Sequence, residues 1–479
     1  MMNVLFAVSE CTPFVKSGGL ADVASALPKS LKKMDVEARV MMPLYGQIAE
    51  EFKANMEFKQ TVMVRLGWRE VHCGLFELQH DDIYYYFIDN EYYFKRDSLY
   101  GHDDDGERFA YFCRAILDVI PHLDFVPDVI HSHDWHTGMI GYLLKEQYHE
   151  SPLYQSIKSV FTIHNLQFQG IFPRSLMHDL LMFDEQHFRI DRLEFHGNIS
   201  FMKAALVAAD KITTVSETYK DEIQTPFFGH QLDGLLRALN NKLAGIVNGL
   251  DLSTYHPEVD PYITTPYHLG SIEKKKINKR ALQEELALEV RDDVPIVAMI
   301  TRLSEQKGLD LVKRIFHEMM ELDAQFILLG NGDTEYESFF AEMEHRYRDK
   351  VRSYIGFNEA FAHCVYAGAD LFLMPSLFEP CGLSQLIAMT YGTIPLVRET
   401  GGLNDTVQAY NEDEKTGNGF SFANYNAHDL LFTYQRAIAL YHEQPDDWQK
   451  LMNNAMSCDY SWAQSALKYK AIYEEIVGD

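Results

Sequence analysis

An acidic residue at the junction of a strand and a helix is the first candidate for chemistry in this 479-residue sequence. Residues 370–374 form a short apolar run closed by Pro375, which is typical of a buried parallel strand, and a helical pattern begins at Gly382. Glu379 therefore lies on a strand-to-helix loop, where open α/β sheets bind ligands. A carboxylate there repels phosphate but can accept hydrogen bonds from sugar hydroxyls. The alternative is a loop carboxylate that only faces solvent.

Basic residues follow another predicted strand of the same half of the chain. Arg302 and Lys307 come just after the apolar residues 295–301. After the apolar residues 393–397, Gly401 and Gly402 open a further helix. Guanidinium and ammonium groups beside free helix N–H groups favour the binding of an anion.

A glycine turn near the N-terminus is a second candidate anion site. Lys16 precedes Gly18 and Gly19, and the glycines lead into an apolar stripe of helical spacing. The spacing differs from the common nucleotide-binding loops, so a plain tight turn with a solvated lysine remains the alternative.

Polar residues also end two predicted strands of the N-terminal half. Residues 128–136 contain His131, His133, Asp134 and His136, which could suggest zinc, although lining of a pocket or helix capping suits the spacing better. His164 and Asn165 end the next strand. We therefore expect one edge of the sheet to carry a set of polar side chains, namely Lys16, Asp22, His133, Asp134 and His164.

The elements that position these residues predict an α/β protein of two domains. Strands and helices alternate in both halves, and five strand–helix repeats begin near residue 295. Residues 61–88 predict an antiparallel addition. A connection rich in Pro and Tyr marks the boundary, giving domains at residues 1–250 and 251–458. The last residues, 459–479, predict an amphipathic helix that returns to the first domain.

Composition excludes several classes of function. The 43 basic and 70 acidic residues give a net charge of −27, which argues against a nucleic-acid or anionic-membrane partner. The six cysteines are scattered without a CxxC pair, as in a reduced cytoplasmic protein. The N-terminal apolar run reads as a first strand rather than a signal peptide, and no run approaches membrane length.

Together these motifs resemble those of the bacterial glycogen synthase and plant starch synthase family. The resemblance covers the whole chain in order and rests on Lys16-Ser-Gly-Gly-Leu-Ala-Asp-Val, His133-Asp-Trp-His, Thr162-Ile-His-Asn, Val247-Asn-Gly-Leu-Asp, Thr301-Arg-Leu-Ser-Glu-Gln-Lys-Gly, Pro375-Ser-Leu-Phe-Glu-Pro-Cys-Gly-Leu and Gly401-Gly-Leu. It implies a GT-B fold of two Rossmann-like, doubly wound domains facing across a cleft. It also implies transfer of glucose from ADP-glucose to an α-1,4-glucan (glycogen or a maltooligosaccharide), with retention and with neither metal nor pyridoxal phosphate.

The resemblance also implies a role for each matching residue. Arg302 and Lys307 bind the diphosphate and Glu379 binds the transferred glucose. The glucosyl site and the acceptor side are lined from the first domain by Lys16, His164, Asn248, Asp22 and Asp134. Further substrate contacts are implied for Gly18, Gly19, Asn165, Cys381, Gly382, Leu383, Gly401 and Gly402.

Two positions depart from the family pattern. Phe357 stands where the family has a tyrosine under the adenine, and Ile387 stands where related retaining enzymes often carry a second glutamate. With no partner carboxylate for Glu379, we expect Arg302, Lys307 and the glycine-led helix starts to stabilise the leaving diphosphate, whose oxygen takes the acceptor proton on the same face.

Other functions remain open at this point. They are a glucan phosphorylase with pyridoxal phosphate, a GT-B glucosyltransferase that uses UDP-glucose, a zinc hydrolase built on the histidines, and a glycogen-binding protein without catalysis. The sequence also leaves open whether the chain forms a homo-oligomer.

Overall fold

A computed structural model describes residues Met2–Gly478, and this part of the chain divides into two compact α/β units. The first unit runs to Gly249 and also includes the C-terminal residues from Trp462. The second unit spans Leu250–Ser461.

A mixed sheet forms the centre of the first unit. Its strands lie in the order β12-β11-β7-β6-β1-β2-β5-β4-β3, parallel except for the β3–β4 and β4–β5 pairs, and β8-β10-β9 form a small antiparallel sheet. The strands are β1 (Met2–Ala7), β2 (Val36–Pro43), β3 (Glu57–Leu66), β4 (Arg69–His80), β5 (Ile83–Asp89), β6 (Val129–His133), β7 (Lys158–Ile163), β8 (Ile171–Pro173), β9 (Glu194–Phe195), β10 (Asn198–Ser200), β11 (Lys211–Thr214) and β12 (Leu243–Gly245).

Helices cover this sheet and connect its parallel strands. They are α1 (Gly19–Lys32), α2 (Glu50–Lys53), α3 (Glu91–Phe94), α4 (Asp105–Val119), α5 (Met139–Leu143), α6 (Pro152–Gln155), α7 (Ser175–Asp179), α8 (Phe201–Ala208), α9 (Glu217–Glu222) and α10 (Asp233–Ala238). The antiparallel addition predicted for residues 61–88 is confirmed, because β4 pairs antiparallel with both β3 and β5. β5 joins this addition to the parallel strands through β2.

A fully parallel sheet forms the centre of the second unit, with the strand order β15-β14-β13-β16-β17-β18. The strands are β13 (Ile296–Ile300), β14 (Gln325–Gly330), β15 (Val351–Ile355), β16 (Leu371–Met374), β17 (Ile394–Arg398) and β18 (Phe420–Phe422). The helices are α11 (Lys275–Glu285), α12 (Leu309–Glu321), α13 (Thr334–Arg346), α14 (Glu359–Gly368), α15 (Ser384–Thr390), α16 (Gly401–Thr406), α17 (Ala427–Glu443) and α18 (Pro445–Met456). The predicted alternation is confirmed for β13 to β17. The sequence missed β18, whose three residues are too few to show a pattern.

The C-terminal helix α19 (Trp462–Gly478) packs on the first unit. Its predicted apolar face is confirmed, since Trp462, Ala466, Tyr469 and Tyr473 are buried. The Ser465 hydroxyl donates to the Val247 carbonyl at 2.6 Å. This bond fixes the start of α19 beside the residues that precede Gly249, where the first segment of the unit ends. None of the helices within Met2–Gly478 has the length and apolar character needed to cross a lipid bilayer.

Candidate active site

In the second unit, Glu379 and Lys307 form an ion pair on two neighbouring loops. Lys307 ends a 3₁₀ turn (Glu305–Lys307) after β13, and Glu379 lies on the loop between β16 and α15. The Glu379 Oε2 accepts a hydrogen bond from the Lys307 Nζ at 2.7 Å and another from the Ser376 hydroxyl at 3.0 Å. The Glu379 side chain is only 8% exposed. Two bonds therefore hold one carboxylate oxygen of a nearly buried group beside a cation.

Glycine lets the backbone approach the Glu379 loop closely. A Cβ at Gly401, where φ is +45°, would lie 1.9 Å from the Glu379 carbonyl oxygen, and one at Gly402 would lie 2.0 Å from the Cys381 carbonyl oxygen. The Gly402 N–H donates to the Glu379 carbonyl at 3.1 Å. The structure therefore gives this glycine pair a packing role, because any side chain there would displace the loop.

The helix that follows Glu379 begins later than the sequence predicts. Gly382 has a φ of +74°, which an α-helix does not accept, and α15 starts at Ser384. The prediction of a helix beginning at Gly382 is therefore wrong. Cys381 is buried, while Gly382 and Leu383 remain partly exposed on the loop.

Arg302 and Phe357 are exposed after the carboxyl ends of β13 and β15, two strands of this sheet that are separated by β14. The Arg302 guanidinium donates to the Gln306 Oε1 at 3.1 Å, so it lies on the same loop as Lys307. Phe357 follows β15 and is 73% exposed. A flat aromatic face in solvent, at the end of a parallel strand, is available for stacking.

In the first unit, Lys16 and Asp22 form an ion pair of 2.9 Å at the start of α1. Gly18 precedes the helix and Gly19 begins it. Sequence reasoning missed Glu10, which is 4% exposed and accepts a hydrogen bond from the Ser17 backbone N–H. Burial raises the pKa of Glu10. Its position just after β1 was the signal that could have identified it.

Three histidine rings lie close together at the ends of β6 and β7. The Nδ1 of His133 lies 2.9 Å from the Nε2 of His164, and the rings of His131 and His133 are 4.1 Å apart. His131 has both nitrogens engaged, by the Tyr473 hydroxyl at 2.7 Å and by the Thr162 hydroxyl at 2.6 Å. This leaves His131 no lone pair for zinc. Across Met2–Gly478, no group of three or more His, Cys, Asp or Glu side chains is placed to hold a metal ion.

Asp134 and Asn165 organise the loops beside these rings. The Asp134 Oδ1 accepts from the His164 backbone N–H at 2.8 Å, and burial raises the pKa of Asp134 to about 7. Asp134 also has a φ of +54°, a rarely populated conformation for a residue with a Cβ. The Asn165 Oδ1 accepts from the Gln167 backbone N–H at 3.0 Å, which forms a local turn.

Asn248, after β12, carries an unsatisfied polar atom. The residue is 5% exposed, and its buried Oδ1 has no hydrogen-bond partner among the described residues. Buried polar atoms without a partner are rare in folded proteins and cost free energy. This oxygen is therefore available to a ligand.

The candidate residues thus fall into groups that belong to different units. The second unit brings together Arg302, Lys307, Glu379, Cys381, Gly382, Leu383, Gly401 and Gly402, with Phe357 farther along its sheet. The first unit brings together one group at α1, consisting of Lys16, Gly18, Gly19 and Asp22, and another at β6 and β7, consisting of Asp134, His164 and Asn165. The group in the second unit can bind an anion beside a carboxylate that accepts hydrogen bonds from hydroxyls. The group at β6 and β7 can donate hydrogen bonds to sugar hydroxyls or accept them.

Comparison with known proteins gives full-length matches. The family model of the starch synthase catalytic domain matches residues 3–238, and that of glycosyl transferases group 1 matches residues 283–455. The chain is 60% identical over 476 residues to glycogen synthases from Bacillus cereus and Geobacillus stearothermophilus, covering 99% of this chain and 100% and 98% of those relatives.

Solved structures match over the whole chain as well. The catalytic domain of starch synthase IV from Arabidopsis thaliana, bound to ADP and acarbose, has a TM-score of 0.94 and 32% identity, covering 100% of this chain and 99% of that one. Sucrose-phosphate synthase from Thermosynechococcus elongatus, at 17% identity and a TM-score of 0.61 with both chains fully covered, shares the fold.

Proposed function

The chain belongs to the glycogen and starch synthase family of glycosyltransferases, with a GT-B fold, and we propose that it transfers glucose from ADP-glucose to an α-1,4-glucan. The glucose would join the non-reducing end of the glucan with retention of its anomeric configuration. The single observation that carries this proposal is the ion pair between the nearly buried Glu379 carboxylate and Lys307. Lys307 lies on the same loop as Arg302. The ADP bound to the Arabidopsis relative supports an adenine nucleotide as the donor.

Charge development explains why these groups stand together. Breaking the bond to the anomeric carbon builds positive charge on the sugar ring and negative charge on the leaving diphosphate. Lys307 and Arg302 would stabilise the diphosphate, and Glu379 would accept hydrogen bonds from hydroxyls of the glucose. The Glu379–Lys307 bond keeps the nearly buried carboxylate compensated before the donor binds.

Residues of the first unit would bind the glucosyl group and the acceptor. The unpaired Asn248 Oδ1 supports a contact with a sugar hydroxyl. By the resemblance to the family, His164 would line the same glucosyl site. Lys16, Asp22 and Asp134 would serve the acceptor side. The exposed ring of Phe357 would stack on the adenine, where it keeps the apolar face of a tyrosine without the hydroxyl.

The reaction would proceed without a metal or pyridoxal phosphate, with the leaving phosphate oxygen taking the acceptor proton on the same face of the sugar. Two observations support this proposal. The cations of Arg302 and Lys307 can do the work of a metal ion on the diphosphate, and Ile387, buried among apolar residues of the second unit, supplies no second carboxylate. The free cysteines and the acidic charge favour a cytoplasmic location.

Donor preference tests the proposal. The protein is incubated with a maltooligosaccharide and either ADP-glucose or UDP-glucose, and both released nucleotide and glucan length are measured. We expect ADP release matched by chain elongation, and much slower UDP release. Elongation only with UDP-glucose would show that the donor is UDP-glucose and not ADP-glucose. Nucleotide release without elongation would show that glucose is not transferred to the glucan.

A further inference from the structure

Among the described residues, the side chain of His133 makes one hydrogen bond, to His164, the histidine to which the proposed function assigns a glucosyl contact. Its Nδ1 lies 2.9 Å from the Nε2 of His164, and the ring centroids are 5.2 Å apart. His133 is fully buried, whereas His164 is partly exposed. His133 therefore stands behind His164 and has no exposed surface of its own to offer a ligand.

Both rings are neutral at physiological pH. Burial lowers the pKa of His133 well below its usual range, and burial lowers the pKa of His164 to about 3. A neutral imidazole carries one proton, on either Nδ1 or Nε2. One of the two facing nitrogens must therefore carry a proton and the other a lone pair, and the choice decides both tautomers.

The other nitrogen of His133 decides between these arrangements. Its Nε2 is buried and has no hydrogen-bond partner among residues 2–478. A buried N–H without an acceptor is rarer in folded proteins than a buried acceptor with an unused lone pair. The Nε2 of His133 is therefore unprotonated, and its Nδ1–H donates to the Nε2 of His164.

The tautomer of His164 follows from this bond. Since its Nε2 accepts, its proton is on Nδ1, and that atom makes no hydrogen bond to any described residue. We propose that His133 is a positioning residue that fixes His164 as the Nδ1–H tautomer, so that His164 presents a hydrogen-bond donor to an oxygen of the bound sugar. This inference rests on the proposed function only for the identity of the ligand.

Neighbouring rings hold His133 in the orientation that this bond needs. The ring of His131 lies against the ring of His133 with centroids 4.1 Å apart, and the ring of Phe6 stacks on the ring of His133 at 5.8 Å. The hydroxyls of Tyr473 and Thr162 fix His131 in turn. The C-terminal helix α19, through Tyr473, is thus connected to the orientation of His164.

Nitrogen NMR on the full-length chain labelled with ¹⁵N-histidine tests the assignment. Protonated and unprotonated imidazole nitrogens have well-separated ¹⁵N shifts, and a His164→Gln sample identifies the His164 signals. We expect Nδ1 of His164 to be protonated in the wild-type protein. A protonated Nε2 on His164 would overturn the proposal, whatever the activity of the protein.

Two variants separate the hydrogen bond from the packing. In His133→Asn, the side-chain amide can donate from near the position of Nδ1, and we expect the His164 tautomer to be kept. In His133→Phe, the ring and its stacking remain but the donor is lost, and we expect His164 to shift towards the Nε2–H tautomer. An unchanged tautomer in a folded His133→Phe would also overturn the proposal.

Kinetics with ADP-glucose give a second readout. The loss of one oriented donor to the sugar should lower kcat/KM about tenfold in His133→Phe. His133→Asn should stay within about threefold of wild type. Equal losses in the two variants would assign His133 a packing role and reject the tautomer role. If the wild type transfers no glucose from ADP-glucose, the proposed function fails while the NMR result still decides the tautomer.

Discussion

The ammonium group of Lys307 would contact two anions in the proposed reaction. It compensates the nearly buried Glu379 at 2.7 Å, and in the proposed reaction it also meets the charge that develops on the leaving diphosphate. A compact ammonium can contact both partners through separate N–H donors, whereas the planar fork of an arginine matches one flat anion. We therefore expect the proposed reaction to need a lysine at this position rather than any cation.

Replacement of this lysine should damage turnover more than folding. We expect Lys307→Ala to lower kcat about 10²-fold or more, since a preorganised donor on developing charge is removed. Lys307→Arg should recover only part of this loss. Steady-state release of ADP measures both, with Lys313→Ala as the control, because Lys313 pairs with Glu335 on an exposed face of α12. Near wild-type turnover in Lys307→Ala would refute the assignment.

His136 offers a test of burial that is separate from the proposed chemistry. It lies among the rings of Tyr100, Phe109 and Trp135, it is 8% exposed, and burial lowers its pKa to about 3. At a pH below the ordinary histidine pKa of about 6.5, His136 binds a proton in the unfolded chain but not in the folded chain. The folded state therefore loses stability as the pH falls from about 6.5 towards 3.

His136→Phe should remove this pH dependence. Between pH 6.5 and 5 the loss is about 2 kcal/mol for one such histidine, so the free energy of unfolding of the variant should fall by about that much less than that of wild type. Denaturant unfolding at the two pH values measures the difference. Asp134 titrates in the same range with the opposite sign, because burial raises its pKa, and the wild-type comparison cancels it. Parallel pH profiles would show that His136 is not buried as a neutral ring.

At the scale of elements, two strand-to-helix loops place the candidate groups of the second unit. The loop after β13 supplies Lys307, the loop after β16 supplies Glu379, and the start of α16 packs against the second of these loops. These strands are neighbours in the order β13-β16-β17, so their carboxyl ends meet at one edge. The position of Glu379 therefore depends on how closely α16 can approach.

Gly401→Ala tests this dependence. The added Cβ would lie 1.9 Å from the Glu379 carbonyl oxygen, so the loop must move. We expect a loss of about 1–3 kcal/mol in the free energy of unfolding and at least a tenfold loss of kcat. Gly234→Ala in α10 is the matched control, since its Cβ would meet only the end of Arg237, at 3.8 Å. Wild-type activity in a folded Gly401→Ala variant would show that the position of Glu379 does not depend on the close approach of α16.

The candidate residues that sequence could predict are those that follow parallel strands. Arg302, Lys307 and Glu379 each come shortly after an apolar run, and the topology of α/β sheets brings such positions to one edge. Glu10 and His164 also follow parallel strands and His133 ends one, but the burial of Glu10 and the pairing of His133 with His164 could not be read from their spacing. Burial and side-chain pairing are decided by tertiary packing.

Turn geometry limited the prediction of elements in the second unit. The helical pattern extends back to Gly382, but its left-handed φ delays α15 until Ser384. The three residues of β18 show no periodicity, although β17 pairs with them. The resemblance to a family supplied the activity, because periodicity and spacing alone predicted only an anion site beside a sugar-binding carboxylate.

At the scale of the whole molecule, the chain combines a net charge of −27 with local cations on the loop after β13. An overall acidic protein repels phosphates at a distance, so Arg302 and Lys307 must act at contact range. The same two side chains would replace the divalent cation that many diphosphate-cleaving sites require. We therefore expect the transfer to proceed without a metal ion.

The most direct test is the product formed from ADP-glucose and a maltooligosaccharide in the presence of EDTA, analysed by proton NMR. The account predicts one new α-1,4 linkage for each ADP released, at a rate unchanged by chelation. Transfer that stops with EDTA and returns with magnesium or manganese, or a product with a β linkage, would contradict it.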